Sequence, residues 1–376
     1  MPPLVINLRK ASDRRDLVHR AVQTLAEGKL VVFPTETVYG VAASVQCPAA
    51  VDRIYAAKGR PRDSPLALAM KSYDDAMDYI TGMSGIAQRL ARRCWPGPIT
   101  LVMSHGEDGS LVQNLHPQVL QAVSSEGRVG IRVPSHPVIH DVLRMLSGPL
   151  AFTSANLSGQ PAAVTGEEAA KNLSDYVSLV LNDGPCHYGQ PSTVIAADAH
   201  GWRCLREGVV PQSALERYSS MLILLVCTGN TCRSPMAEAI LKGLIAKKLA
   251  CTVEELESRG LRIGSAGVAA SPGSAASPEA VDVLKGQGMD ISGHRSQPLV
   301  QDLVNEADLI LTLTNVHREA ILRTWPQADS RTKTLRVDGG DVSDPIGAPL
   351  DVYRRCAAQI EQALGERVEE IVAELS

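Results

Sequence analysis

The sequence predicts an α/β protein in two successive parts: a twisted-sheet α/β domain, then a central parallel sheet flanked by helices. Three observations carry this. Short apolar runs separated by Pro- and Gly-bearing turns recur through the first part of the chain. Beyond residue 220, strand-like and helix-like segments alternate, the pattern of right-handed crossovers over a parallel sheet. Between them, Gly208-Val-Val-Pro-Gln-Ser-Ala-Leu-Glu-Arg-Tyr-Ser-Ser220 gives way to Met221-Leu-Ile-Leu-Leu-Val-Cys227, which resembles the start of another polypeptide. The expected domains are residues 1–218 and 221–376.

The first helix is expected over Asp13–Gly28, with Leu17, Ala21, Val22, Leu25 and Ala26 at helical spacing, an Asp in front and a Gly behind. Strands follow at Leu30–Phe33, Leu66–Met70, Ile99–Met103, Val129–Val133, Leu150–Thr153, Val177–Leu181 and Ser192–Ala196, with helices at Ala49–Ala57 and Ile86–Arg93. In the second part the order is strand Leu222–Val226, helix Pro235–Leu249, strand Arg262–Ser265 and helix Pro278–Gln287. Strand Leu309–Thr312, helix Val316–Arg323 and a long helix from about Pro349 to Leu375 complete it. A site is expected at the carboxyl ends of the parallel strands.

Composition narrows the function classes. The 376 residues carry a net charge of −4, with 44% hydrophobic and 21% charged residues. Residues 1–220 hold 21 basic and 20 acidic side chains, leaving 16 and 21 of the chain's 37 and 41 for the remainder. That balance argues against a nucleic-acid scaffold or a polybasic membrane anchor. Aromatic content is 3%, with Phe33 and Phe152 the two phenylalanines, which argues against stacking platforms for single-stranded nucleic acid. The eight cysteines include no CxxC pair, so no metal site is expected and a reducing, cytoplasmic location is. No apolar run approaches a membrane span, and the first residues lack a leader-like pattern.

The densest chemistry is Cys227-Thr-Gly-Asn-Thr-Cys-Arg233-Ser234, between a strand and a helix whose first turn holds Pro235. Such a loop aims backbone N–H groups and the helix dipole at one point, which suits a tetrahedral oxyanion. The same field favours a thiolate at Cys227. Arg233 can grip two phosphoryl oxygens with its fork. On these residues, and on Asp344-Pro345, the segment 221–376 resembles the low-molecular-weight protein-tyrosine-phosphatase family. The resemblance implies that Cys227 attacks phosphorus to form a phosphocysteine. It also implies that Asp344 protonates the leaving atom and then activates water, that Ser234 hydrogen-bonds the thiolate and that Asn230 holds the strained loop. No metal or organic cofactor is expected there.

Tyrosine-specific members have a bulky aliphatic residue where this chain has Thr231, and aromatic residues after the Asp-Pro pair, where Ile346-Gly347 stands here. The stretch from Ala266 to Ser274 also lacks an aromatic. The loop and the sequence DPIGAPLDVY are similar to the protein-arginine phosphatases within the family, so phosphoarginine in a phosphorylated protein is the expected substrate. Phosphotyrosine specificity, or a degenerate phosphatase acting as a binding or regulatory module, are the alternatives. Cys232 is a candidate redox partner for Cys227 or a packed loop residue.

Before residue 220, further motifs stand out: Phe33-Pro-Thr-Glu-Thr-Val-Tyr-Gly40, Lys58-Gly-Arg60-Pro61, Thr153-Ser-Ala-Asn156-Leu-Ser-Gly159, Ser192-Thr193 and Leu205-Arg206-Glu-Gly208. With Trp95-Pro-Gly-Pro-Ile-Thr100 and Ile131-Arg132-Val-Pro134, they resemble the YrdC-type threonylcarbamoyl-AMP synthases over roughly residues 10–212. The resemblance implies that L-threonine, bicarbonate and ATP are substrates, and that a tRNA threonylcarbamoyl transferase machinery acts downstream. Lys58, Arg60, Arg132 and Arg206 are the expected cations for the triphosphate. Thr35 and Ser192 are expected near the amino acid, and Ser154 and Asn156 near the nucleotide. Magnesium is expected to accompany ATP, held by phosphates and water. His136 is a candidate lining residue, and His294 and His317 are expected to be surface or capping residues.

Overall fold

The computed structural model describes residues 2–11, 13–106 and 109–373. It contains two compact units, Met1–Leu215 and Glu216–Ser376.

The first unit is built on an eleven-stranded mixed sheet. Its spatial order runs Leu4–Asn7, Val177–Asn182, Leu30–Phe33, Gly40–Ser44, Leu150–Ser154, Ala67–Ala69, Arg128–Arg132, Ile99–Ser104, Thr193–Asp198, Gly201–Arg206, with Ser124–Ser125 paired beside Arg128–Arg132. The seven expected strands are present. Leu4–Asn7, Gly40–Ser44, Ser124–Ser125 and Gly201–Arg206 were not foreseen. Gly40–Ser44 is entirely buried yet made of Gly, Val, Ala and Ser, which carry little strand signal. Leu4–Asn7 and Gly201–Arg206 are edge strands, and the second is half polar. Helix Arg14–Ala26 begins where Asp13 accepts the Arg15 N–H at 2.8 Å, and it buries Leu17, Val18, Ala21 and Leu25. Val18, Ala21 and Leu25 join Phe33, Ile139, Val142, Phe152 and Leu181 in one core cluster.

Gly40 shows why a glycine opens that central strand. A Cβ there would lie 1.9 Å from the Phe152 ring, which packs directly over the backbone.

The second unit carries a four-stranded parallel sheet ordered Leu261–Gly267, Met221–Cys227, Leu309–Thr312, Thr332–Thr334. Met221–Cys227 is paired on both sides and buried along its whole length, as a near-continuous apolar run in a parallel sheet should be. Helices Arg233–Lys248, Pro278–Lys285 and Asn315–Thr324 stand close to the expected segments. The expected terminal helix is instead two helices, Leu350–Gly365 and Val368–Ala373. The break lets Arg367 turn inward, donating to the carbonyls of Leu335 at 2.6 Å and Thr334 at 2.7 Å, which ties down the short fourth strand. The end of that expected helix, at Leu375, lies outside the described residues. Among the described residues no helix is long and apolar enough to cross a membrane.

Replacing Gly40 by Ala forces Phe152 off its rotamer or separates the central strands. We expect a loss of about 1–3 kcal/mol, typical of overpacking, read as a drop of several degrees in the thermal transition that abolishes secondary structure of the first unit. An unchanged transition would show that the Phe152 ring moves aside freely.

Candidate functional site

In the second unit, strand Met221–Cys227 delivers the Cys227 thiol to the carboxyl edge of the sheet, and residues 228–232 turn there into helix Arg233–Lys248. The turn is made by Asn230, in the left-handed region at φ +55° and fully buried. Its side chain is saturated. Nδ2 donates to Ser234 Oγ and Ser265 Oγ, both at 2.9 Å, and Oδ1 accepts the Gln297 N–H at 2.9 Å. Its carbonyl is held by His294 Nε2 at 2.8 Å, so His294 supports the loop directly.

This network assigns proton directions. Ser265 Oγ donates to Glu238 Oε2 at 2.7 Å and so receives from Asn230. Ser234 Oγ likewise receives from Asn230, and its own proton lies within reach of Cys227 Sγ at 3.0 Å and of the Ala266 carbonyl at 3.5 Å. The Asn230 backbone N–H adds a second donor to the same sulfur at 3.3 Å. The loop's carbonyls are tied outward: Cys227 O to Val268 N, Thr228 O to Ala269 N, and Thr231 O to Ser277 N. A Cβ on Gly267 would come within 2.4 Å of the Thr228 carbonyl, so only glycine lets the neighbouring strand approach this closely.

Arg233, buried at 5% exposure, donates from Nη2 to Asp344 Oδ2 at 2.5 Å and from Nη1 to the Val342 carbonyl at 3.3 Å. Its Nε is buried without a partner. A buried guanidinium with a donor left over is what an anion clamp looks like before its anion arrives. Asp344 keeps 45% of its side chain exposed, within reach of solvent and of a leaving group. Thr231 is half-buried, and Ile346 beyond Asp344-Pro345 is 70% exposed. Tyr353, the next aromatic along the chain, is turned into the core, where its hydroxyl meets Cys232 Sγ at 3.4 Å. Burial and then the Cys232 contact push the Tyr353 phenol up to about 12. Cys227 and Cys232 are both free thiols.

His317 departs from expectation. It is buried, its Nε2 2.8 Å from Thr228 Oγ1 and its Nδ1 2.9 Å from Thr314 Oγ1, where a surface or capping position was expected. The helical spacing around it is compatible with either face, so only packing could reveal this.

In the first unit a cavity of about 800 Å³ opens over the sheet. Arg60, Arg132, Ser154, Asn156, Ser192 and Arg206 all line it. Arg206 Nη2 donates to Ser192 O at 2.7 Å and Ser192 Oγ at 3.1 Å, and Ser192 Oγ meets Thr100 Oγ1 at 3.1 Å. Burial, then the charges of Arg132 and Arg60, hold Arg206 below its ordinary value, so the three guanidinium groups feel one another. Arg132 is neutralised by Glu36 at 2.6 Å and also donates to Thr37 Oγ1 at 2.8 Å. Burial works to raise the Glu36 carboxyl, but the charge and hydrogen bond of Arg132 with the Ser135 N–H outweigh it and the net shift is downward. Arg128 and Arg203 also line the cavity, although sequence reasoning passed over them. The signal available was the alternation of Arg203 and Leu205 on one face of strand Gly201–Arg206.

Two expected ligands stand behind the cavity wall. Thr35 is buried, with its hydroxyl donating to the Val38 carbonyl at 2.6 Å and accepting the Thr37 and Val38 N–H groups at 3.2 and 3.3 Å. It shapes the turn after strand Leu30–Phe33. Lys58 is buried at 2% exposure and donates to the carbonyls of Ser154 and Asn156, both at 2.5 Å, and to Asn156 Oδ1 at 3.4 Å. Burial, then Arg60, push it down to about 7. His136 does not line the cavity. It caps helix Pro137–Met145 and faces Asp183 at 3.2 Å.

Comparison with known proteins divides the chain in the same way. The Sua5/yciO/yrdC family model, described as "Telomere recombination", matches residues 23–208, and the model described as "Low molecular weight phosphotyrosine protein phosphatase" matches residues 222–376. A Bos taurus protein named threonylcarbamoyl-AMP synthase is 35% identical, covering 55% of this chain and 72% of its own length. The chain spans only 55–60% of the length of other curated synthases that it matches. A solved structure of Pyrococcus abyssi Sua5 is 28% identical with a TM-score of 0.52, over 66% of this chain and 76% of that one. A solved arginine phosphatase from Geobacillus stearothermophilus, YwlE, is 37% identical with a TM-score of 0.36, over 41% of this chain and 94% of that one.

Lys58 supplies a test of the geometry alone. Lys58→Met leaves three buried oxygens without their donor and should destabilise the first unit by about 2–4 kcal/mol. Arg60→Ala, which frees only the carbonyls of Ser64 and Pro65, should cost about 1 kcal/mol or less. Equal denaturation midpoints for the two variants would show that Lys58 does not pin the loop.

Proposed function

The chain belongs to the threonylcarbamoyl-AMP synthase family through residues 23–208 and to the low-molecular-weight phosphatase family through residues 222–376, and on that premise we propose a bifunctional enzyme. Its first domain, 1–218, converts L-threonine, bicarbonate and ATP into threonylcarbamoyl-AMP, pyrophosphate and water. Its second, 221–376, hydrolyses phosphoproteins.

The observation that carries the first activity is the convergence of Arg60, Arg132 and Arg206 on one cavity with Ser154, Asn156 and Ser192. A triphosphate needs several cations, and a carbamate or carboxylate needs hydroxyl and amide donors that do not hydrolyse it. ATP brings its own magnesium. Phosphates and water would be its main ligands. Lys58 acts by holding the Ser154–Asn156 segment, and Thr35 by shaping the turn opposite. The product is an activated carbamate for a tRNA-modifying transferase, and a cytoplasmic location is consistent with that role.

For the second activity, the Cys227 thiolate attacks phosphorus while the loop N–H groups and Arg233 hold the equatorial oxygens. An arriving phosphoryl group competes for Arg233 and releases Asp344, which then stands free to protonate the leaving atom. The phosphocysteine is hydrolysed by water that Asp344 activates in turn. Cys227, Arg233, Ser234 and Asp344 are all present in working geometry, which favours a live enzyme over a binding module. The substrate we favour is phosphoarginine. Thr231 gives a polar contact at the mouth, and Tyr353 is buried on Cys232, leaving no aromatic wall for a phenol.

Full-length protein should release pyrophosphate from ATP only when threonine and bicarbonate are both present, and Cys227→Ser should leave that release intact while abolishing phosphatase activity. Threonine-independent release would remove the synthase assignment. On phosphopeptides, kcat/KM should favour phosphoarginine over phosphotyrosine, and Thr231→Ile should shift the ratio toward phosphotyrosine by about 1–3 kcal/mol. A wild type that prefers phosphotyrosine would overturn the substrate while leaving the cysteine mechanism standing.

A further inference from the structure

Three residues form an unbroken polar chain from the second unit's interior to the mouth of the Cys227 loop: Thr314, His317 and Thr228. Thr314 Oγ1 lies 2.9 Å from His317 Nδ1, and His317 Nε2 lies 2.8 Å from Thr228 Oγ1. His317 is 4% exposed, whereas Thr228, adjoining the nucleophile, is exposed. The charges of Arg233, Asp344 and Asp341 all act on the imidazole. Burial, then the Arg233 charge, outweigh the two carboxylates and lower it to about 4, so the ring is neutral and has one N–H.

The Thr314 hydroxyl oxygen receives the His317 backbone N–H at 3.3 Å and keeps a second lone pair, so its contact with Nδ1 is compatible with either direction; we take the arrangement in which the Thr314 proton goes to Nδ1. Nε2 then carries the ring proton and donates it to Thr228 Oγ1. The Thr228 hydroxyl proton is thereby turned away from the ring and toward the mouth. From this geometry we propose that Thr228 is a phosphoryl-binding residue, donating its hydroxyl to an oxygen of the bound phosphate, and that His317 is the positioning residue that fixes it as a donor. The proposal rests on the phosphatase reading of residues 221–376, and it adds a side-chain donor to the loop amides and Arg233.

The test uses the full-length protein and inorganic phosphate, whose binding by calorimetry requires no turnover. Thr228→Val should weaken phosphate binding by about 10–100-fold, the scale of one hydrogen bond to a charged group, and Thr228→Ser should restore it to within about twofold. His317→Ala should weaken it as much as Thr228→Val, and the double variant should be no worse than either, because both remove one donor. His317→Gln, whose amide can still donate, should retain most of the affinity. Unchanged phosphate affinity in Thr228→Val, or full additivity in the double variant, would overturn the proposal. If His317→Ala fails to fold, Thr228→Val and His317→Gln decide it. Phosphate binding with these effects but no turnover of p-nitrophenyl phosphate by wild type would instead locate the failure in the phosphatase reading.

Discussion

A positive charge taken out of water has to be held before its anion arrives, and this requirement organises both units. Arg132 is covered by Glu36 and Thr37, Arg206 by Ser192, Arg60 by the carbonyls of Ser64 and Pro65, and Lys58 by three oxygens of the Ser154–Asn156 segment. In the second unit Arg233 is covered by Asp344 and Val342. Each of these contacts offsets desolvation that would otherwise unfold the site or empty it of charge. Each also ties a cation to a particular loop, so the loops are positioned by the cations they hold.

The covers differ in how readily they yield. Arg132 and Glu36 are both buried, and their pair is part of the fixed wall. Arg233 is buried, but Asp344 is nearly half exposed, so that pair opens toward solvent at little cost. The exposed carboxylate is also the group the chemistry needs free. In the proposed reaction the ion pair stores the acid beside the clamp and gives it up when a phosphoryl group takes its place.

Asn230 has a comparable importance for the thiol. It occupies a backbone conformation that costs an ordinary residue free energy, and its saturated side chain offsets that cost. Because both of its amide protons are committed to Ser234 and Ser265, Ser265 turns its proton to Glu238, and Ser234 keeps its own for Cys227 Sγ at 3.0 Å or the Ala266 carbonyl at 3.5 Å. Glu238 enters by fixing Ser265.

Much of this was legible in the residues. The apolar run ending at Cys227, the loop after it and the alternation beyond it determined a parallel sheet with a cysteine at its carboxyl edge, since periodicity and turn chemistry are local properties. The order of the polar motifs before residue 220 pointed to Arg60, Arg132, Ser154, Asn156, Ser192 and Arg206, which the cavity brings together. Tertiary structure decided the rest. Strand Gly40–Ser44 exists because neighbouring strands and the Phe152 ring demand small residues there, a demand invisible in a run of Gly and Ala. The terminal helix breaks because Arg367 satisfies two carbonyls of a distant strand. Lys58 and Thr35 stand behind the wall, and His317 is drawn inside, because hydrogen-bond partners remote in sequence claim them. Residue type and spacing determine which groups can do chemistry; which of them face the ligand and which hold the others in place depends on long-range pairing that no local pattern encodes.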